Sequence, residues 1–478
     1  MNRLGRFLMV FALGGSVVEG APGASPRTVR PSPAESRSTM TFALAGDAIL
    51  TRRVMVFDNP DDPAFSGVVR LVRGADAAIV NLEESLFRFS EFKGWAEAEN
   101  GGNWEVAPPE MATELTAMGF DMFARANNHT TDYGVEGMRE TNRLLDRLGI
   151  PHAGSGNDLG EASRPAYLDT ARGRIALISF TTSFPPMSRA GQSRPDMAGR
   201  PGANAVRLQR TIEVDPVTFE TLRQLSPSWN RTPPPKADVT SFRLSETAGA
   251  TEVKKSDRIA AYETVNVRDR ERILREITNA ARLSDFVVVN IHGHQPGNYA
   301  VEPPEWMKEL TRACVDAGAS LIAIHGPHQL RGIEIYRDRP ILYSIGNFFL
   351  QTETIDPEPA DRYEAAGLGP DALVSDYLVA KEHETKGFPS SPKWYESVLA
   401  LLTFEQGVFT GMKLVPLDLG QKMVLPQRGT ARLADAAKAK TILERLQALS
   451  APFGTQLLVE NGVGVWRRPS VPPKPPGP

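Results

Sequence analysis

Five of the seven histidines fall in three short stretches, and each stretch follows a run that reads as a buried strand. Asn127-Asn128-His129 closes the segment Phe120 to Ala126. His292-Gly293-His294 follows Phe286 to Ile291, and His325-Gly326-Pro327-His328 follows Leu321 to Ile324. Imidazole, carboxylate and amide groups without a thiolate suit a divalent ion such as Mn, Zn or Fe. Loops at the carboxyl ends of strands are where open α/β sheets place their ligands. His292 and His294 share a face if strand geometry persists. They then either meet one ion or divide between metal and substrate. Gly326-Pro327 forces a turn that can aim His325 and His328 inward. His152, between Pro151 and Gly154, suits a structural turn equally well, and His383 lies in a polar charged stretch.

Carboxylates accompany the histidines. Asp47 follows the apolar run Met40 to Ala45 and Gly46, where an Asx turn or helix cap is the competing use. Glu83 ends the run beginning at Ala75 in the same way. Asp132 follows His129 closely and also suits a cap for the helix that starts near Val135.

The elements that must position these residues alternate. Helical spacing covers Pro108 to Met118, Val135 to Leu148, Arg268 to Leu283, Pro303 to Ala317 and Ala431 to Leu449. Strand signals include Arg174 to Phe180, Asp285 to Ile291, Val398 to Phe404 and Met412 to Leu417. A hairpin is expected around Arg337-Asp338-Arg339. This order predicts an α/β fold. Residues 181–263 are rich in Pro, Ser and charge and read as an insertion, with regular structure resuming at Arg268. Residues 426–468 read as a helical extension of a domain spanning 40–425, and 469–478 as a disordered tail.

Arg3 and Arg6, an apolar run to Leu13 and small residues to Ala24 have the order of an export signal over residues 1–24. A Pro- and Ser-rich linker, 25–39, follows. A periplasmic or cell-envelope location is therefore expected. At 478 residues, 41% hydrophobic and 23% charged, the chain can build a large core. A net charge of −3 gives no reason to expect nucleic acid. Cys314 is the single cysteine, set in a helical stretch, so burial is its expected fate. No Gly-x-x-x-x-Gly-Lys loop is present, which argues against nucleotide-driven ligation.

Gly46-Asp47, Asn81-Leu82-Glu83, Ala126 to His129 with Asp132 and Gly134, His325-x-Pro327-His328, and Tyr343-Ser344-Ile345-Gly346-Asn347-Phe348 together resemble the CapA family of poly-γ-glutamate capsule synthesis, over roughly Thr41 to Phe349. The resemblance implies a four-layer α-β-β-α sandwich of the metallophosphoesterase type, carrying here a long insertion. It implies Asp47, Glu83, Asn128, His292, His325 and His328 as ligands to one or two divalent ions, and His129 as the group assisting catalysis. Asp132, His294 and Asn347 join His129 as expected catalytic residues. It further implies an anionic polymer or phosphorylated substrate and a membrane capsule-synthesis complex as partners. Two departures stand out: Ile49 occupies the place where the wider calcineurin-like superfamily usually has a histidine, and His292-Gly293-His294 replaces a commoner His-Trp-Gly. Either the first metal is held more weakly or His294 replaces a missing ligand, which leaves one ion and two ions as alternatives.

Overall fold

The computed structural model describes residues 39–228, 233–245, 250–382 and 390–469. The export signal, nearly all of the linker and the tail, and His383 lie outside the described residues. The fold is mixed α/β with several sheets. The largest has ten strands, with Thr39–Ile49 flanked by Ala77–Leu82 and Glu396–Glu405, and Asn347–Leu350 pairing with the end of Thr39–Ile49. A six-stranded sheet runs Ile333–Tyr336, Arg339–Leu342, Leu321–His325, Phe286–His292, Gly173–Thr181, Ala166–Thr170.

Alternate residues of the central strands enter different cores, as the two-residue strand period requires. Phe42, Leu44 and Ile79 of the large sheet share one apolar cluster with Leu177, Val288 and Leu321 of the other. Their neighbours Ala43, Ala78 and Val80 pack instead with Phe65, Val69 and Leu115 of the helices Pro63–Gly74 and Glu110–Met118. On the six-stranded sheet, Ala176, Val287 and Val289 pack with Ile273, Ile277 and Leu310 of the helices Val267–Ala281 and Glu305–Asp316. Strands buried on both faces explain the near-continuous apolar runs in the sequence. Cys314 belongs to that last cluster, and burial pushes its thiol up to about 12, which makes it inert.

Three expectations are corrected. Regular structure does not wait for Arg268: a four-stranded sheet of Leu208–Val214, Ser241–Arg243, Glu252–Lys255 and Ala260–Val265 precedes it, with the helix Pro216–Leu225. Its strands bury one thin cluster, Val214, Phe219, Phe242 and Val253, while charges such as Arg210, Glu213 and Glu263 pair on its outer surface, so the charge content resembled a loop. Residues 426–468 are not simply helical. Beyond the helix Ala436–Ser450, the strands Leu458–Glu460 and Val463–Arg467 extend the ten-stranded sheet. Ala431 to Leu433 is not helical either, because Arg432–Leu433 pairs with Val408–Asp418. The hairpin forms as expected, turning through Arg337 and Asp338 at φ 47° and 58°.

Candidate metal centre

Strand register collects the site. In the large sheet Asp47 lies level with Asn81 on one side and Asn347 on the other. In the six-stranded sheet His292 lies level with His325. Asp47, Asn81, His292 and His325 stand near the carboxyl ends of parallel strands, Asn347 opens its own, and Glu83, Asn128 and His129 follow strand ends of the large sheet. Glycine is required at position 46, since a Cβ there would lie 1.9 Å from the Gly346 carbonyl oxygen. The chain bends through Gly326 at φ 102° and His328 at φ 57°, which returns the His328 ring to the Asp47 carboxylate.

Asp47, Glu83 and His328 are all buried, and each offers a ligand atom within 4.8 Å of the others. His292 sits beside both carboxylates, with Nδ1 3.7 Å from Asp47 Oδ1 and Nε2 3.6 Å from Glu83 Oε1. His325 Nδ1 is 3.6 Å from Asp47 Oδ1. Asp47 is fixed by Asn81 Nδ2, which donates to Oδ1 at 2.8 Å, and by the Gly326 N–H, which donates to Oδ2 at 3.0 Å. Glu83 is different: it is fully buried and neither oxygen accepts a hydrogen bond. His292 Nε2, His325 Nδ1 and Asn128 Oδ1 are likewise buried without a hydrogen-bond partner. Buried polar atoms are normally satisfied, and a cation held by Asp47, Glu83 and His328 would satisfy the Glu83 carboxylate. The residues therefore fit a divalent ion.

The electrostatics agree. Burial, reinforced by the charges of Asp47, Glu105, Glu84 and Asp132, drives Glu83 well above the usual carboxylate range. Burial and the neighbouring histidines drive His292 and His294 well below the usual imidazole range. Without a cation, both groups are pushed toward neutrality, and a bound cation favours the ionised carboxylate.

Asn347 sets the tautomer of His328. Its Nδ2 donates to the carbonyls of His328 and Trp394, so its Oδ1 is the atom 2.8 Å from His328 Nδ1. An amide oxygen only accepts, so Nδ1 carries the proton and Nε2 the lone pair a metal uses. Asn347 thus orients a candidate ligand.

Asp132 does not cap the helix Gly134–Leu148, whose N-cap is Tyr133 without a side-chain bond. Its Oδ2 instead lies 2.7 Å from His129 Nδ1, and it accepts the Glu105 N–H at 2.7 Å. Burial alone would lower the His129 pKa, but the Asp132 charge and hydrogen bond outweigh it and push the ring up to about 9. His129 Nε2 then points toward the centre, 3.9 Å from Glu83 Oε1. His294 lies past its strand end, with its ring centroid 5.0 Å from His292 and 5.6 Å from His328. Asn128, His129, His294 and His328 line a cleft of about 470 Å³ together with Ile49, Glu105 and Arg362. His152 is elsewhere, paired with Asp146 at 3.2 Å.

Four residues have no role assigned from the sequence. Asn81 holds Asp47, and Arg125 Nη1 donates to the carbonyls of Leu82 and Glu84 at 3.0 and 2.7 Å, gripping the backbone on both sides of Glu83. Each is a polar residue inside an apolar strand run, a signal that could have been read. Glu105 and Arg362 lie in or after polar segments and carry no such mark.

Known proteins are similar to most of this chain. The family model described as bacterial capsule synthesis protein PGA_cap matches residues 41–352. An uncharacterized protein of Sinorhizobium fredii is 42% identical over 436 residues, covering 89% of this chain and 93% of that protein. The capsule biosynthesis protein CapA of Bacillus anthracis is 23% identical over 326 residues, covering 67% of this chain and 63% of that protein. The PGA biosynthesis protein CapA of Bacillus subtilis is 24% identical over 316 residues, covering 66% and 64%. With a match spanning most of the chain, including every residue of the centre, this protein belongs to the bacterial capsule synthesis family PGA_cap.

Proposed function

We propose that the chain acts in the synthesis, export or anchoring of an anionic capsule polymer such as poly-γ-glutamate, through a metal-dependent hydrolase site built on Asp47, Glu83 and His328. The names of the two CapA relatives support the pathway. The apolar cluster shared by the two sheets, with helices packed on their other faces, supports a four-layer α-β-β-α reading of the metallophosphoesterase type. The observation that carries the site is Glu83, whose buried carboxylate has no hydrogen-bond donor but is ringed by ligand atoms.

In this reading Asp47, Glu83, Asn128, His292, His325 and His328 would hold one or two ions. When bound, a divalent ion would supply Lewis-acid polarisation and an activated water. His129, kept protonated by Asp132, donates a proton from Nε2 to the leaving group. The half-buried His294 at the cleft positions substrate. Export through residues 1–24 would deliver the folded domain to the envelope, beside a membrane-bound synthesis complex. Among the described residues no helix is long and apolar enough to cross a membrane.

Elemental analysis of the purified protein, followed by hydrolysis assays on poly-γ-glutamate, γ-glutamyl peptides, phosphomonoesters and phosphodiesters, tests the reading. About one to two equivalents of Mn, Zn or Fe are expected, falling in Asp47→Asn and His328→Ala. Less than roughly a tenth of an equivalent after reconstitution would leave a polymer-binding scaffold instead. Turnover of phosphate esters alone would make the protein a metallophosphoesterase. Full-length chain recovered from the cytoplasm with Met1 intact would overturn the envelope location.

A further inference from the structure

Arg362 is the one arginine or lysine among the described residues lining the cleft. It stands on the helix Ala360–Ala365, beyond residue 352 where the family match ends. Its side chain is only 16% exposed. Nη1 donates to the Gly102 carbonyl at 3.3 Å, and the guanidinium carbon lies 5.2 Å from the Tyr377 ring centroid. Nε is buried and forms an ion pair with the buried Glu358 carboxylate, whose Oε1 is 3.9 Å away, too long for a hydrogen bond. The fork is thus held by its surroundings but incompletely used. The cleft lining also includes the neutral, hydrogen-bonding Asn103, Asn298, Ser183 and Thr352, and the carboxylate of Glu105, which lies within electrostatic reach of Arg362. A planar guanidinium matches the two oxygens of a carboxylate or phosphoryl group.

We infer that Arg362 recognises an oxyanion of the substrate, a carboxylate or a phosphoryl group, beside the metal centre, while the neutral amides accommodate the uncharged part of the same molecule. This rests on the hydrolase reading of the cleft but assigns its anion specificity to a residue outside the metal ligands. Arg362 is therefore a binding residue that can be tested without turnover.

Calorimetric titrations on full-length protein carrying Asp47→Asn, so that no ligand is consumed, provide the test. The probes are a γ-linked glutamate oligomer, the same oligomer with its carboxyls amidated, and phenyl phosphate. Adding Arg362→Gln should weaken the anionic probe by about 10- to 100-fold and leave the amidated oligomer unchanged. Arg362→Lys should recover part of the loss, because it keeps the charge without the fork. Whichever anion responds identifies the source of the oxyanion. Equal weakening of the amidated oligomer, no response to Arg362→Gln, or no binding of either anion by the parent would overturn the inference. Elemental analysis of the Arg362→Gln single variant separates the two readings. Arg362-dependent binding, with no metal taken up even where Asp47 is intact, would sink the hydrolase site alone.

Discussion

His129 shows how one contact decides a residue's chemistry. Buried beside Glu83, the ring would lose its proton easily, yet Asp132 at 2.7 Å holds it charged. Removing that charge while keeping the shape, with Asp132→Asn, leaves only the burial, which favours the neutral ring. Imidazole NMR on the metal-free protein should find His129 still protonated near about pH 8 in the parent and largely neutral there in Asp132→Asn. Identical titrations would show that Asp132 only orients the ring. Arg125 works at one further remove. It touches no candidate ligand, but its Nη1 bridges the Leu82 and Glu84 carbonyls. Arg125→Lys keeps the charge and loses the bridge, so metal affinity should fall by about 10- to 100-fold, as for other groups that orient ligands. Competition with a fluorescent chelator reads this directly, and unchanged affinity would make Arg125 a purely structural cation. The histidines and the strand-end carboxylates were legible in sequence because burial and ligand chemistry leave a local mark. The roles of Asn81 and Arg125 have no local mark because each acts on a partner more than thirty residues away, the Asp47 carboxylate and the Leu82 carbonyl.

Most central elements follow from periodicity, with ends shifted by a few residues. The strand read over Met40 to Ala45 continues to Ile49, carrying Asp47 within the strand instead of after it. What extends it is the parallel pairing of Asp47, Ala48 and Ile49 with Asn347, Phe349 and Leu350. A pairing across three hundred residues leaves no local pattern. The small sheet at 208–265 and the strands at 458–467 escaped for the related reason that short, half-exposed strands are defined by their partners. Close approach of Gly46 to Gly346 permits the join, and register irregularities flank Asp47 on both sides. Gly46→Ala must move backbone, at a cost of about 3 kcal/mol or more. It should also displace Asp47 and abolish metal uptake. Gly74, exposed at a helix end with nothing within 4 Å of an added Cβ, is the control, and Gly74→Ala should be neutral or slightly stabilising. Denaturant titration of the two variants measures the contrast, and comparable stabilities would refute the close approach.

At the scale of the molecule, the centre straddles two sheets. Asp47 and Glu83 come from one, and His292, His325 and His328 from the other, over a shared apolar core. An ion at the centre would link them, and its binding energy would appear as stability of the whole fold. Ion-free, the same cluster is a burden that Glu83 makes measurable. Its pKa in the folded chain lies well above the ordinary 4.5, so the folded state holds a proton that the unfolded state releases. Stability from this group is therefore fully present below 4.5 and declines as pH rises toward the folded value. The lowered pKa of His292 acts in the opposite sense below its ordinary 6.5, so the slope of the parent alone does not isolate Glu83. Glu83→Gln does, because glutamine keeps the shape and removes the titration. With chelator present, its melting temperature should fall less steeply than the parent's as pH rises above the ordinary 6.5 of His292, and at the upper end it should be the more stable protein. With metal added, the order should reverse: the parent gains about 2.7 kcal/mol at a hundredfold excess over the dissociation constant, and Glu83→Gln gains little. Parallel pH slopes in chelator, or equal gains on adding metal, would show that the buried carboxylate is neither the strained group nor the ligand that relieves it.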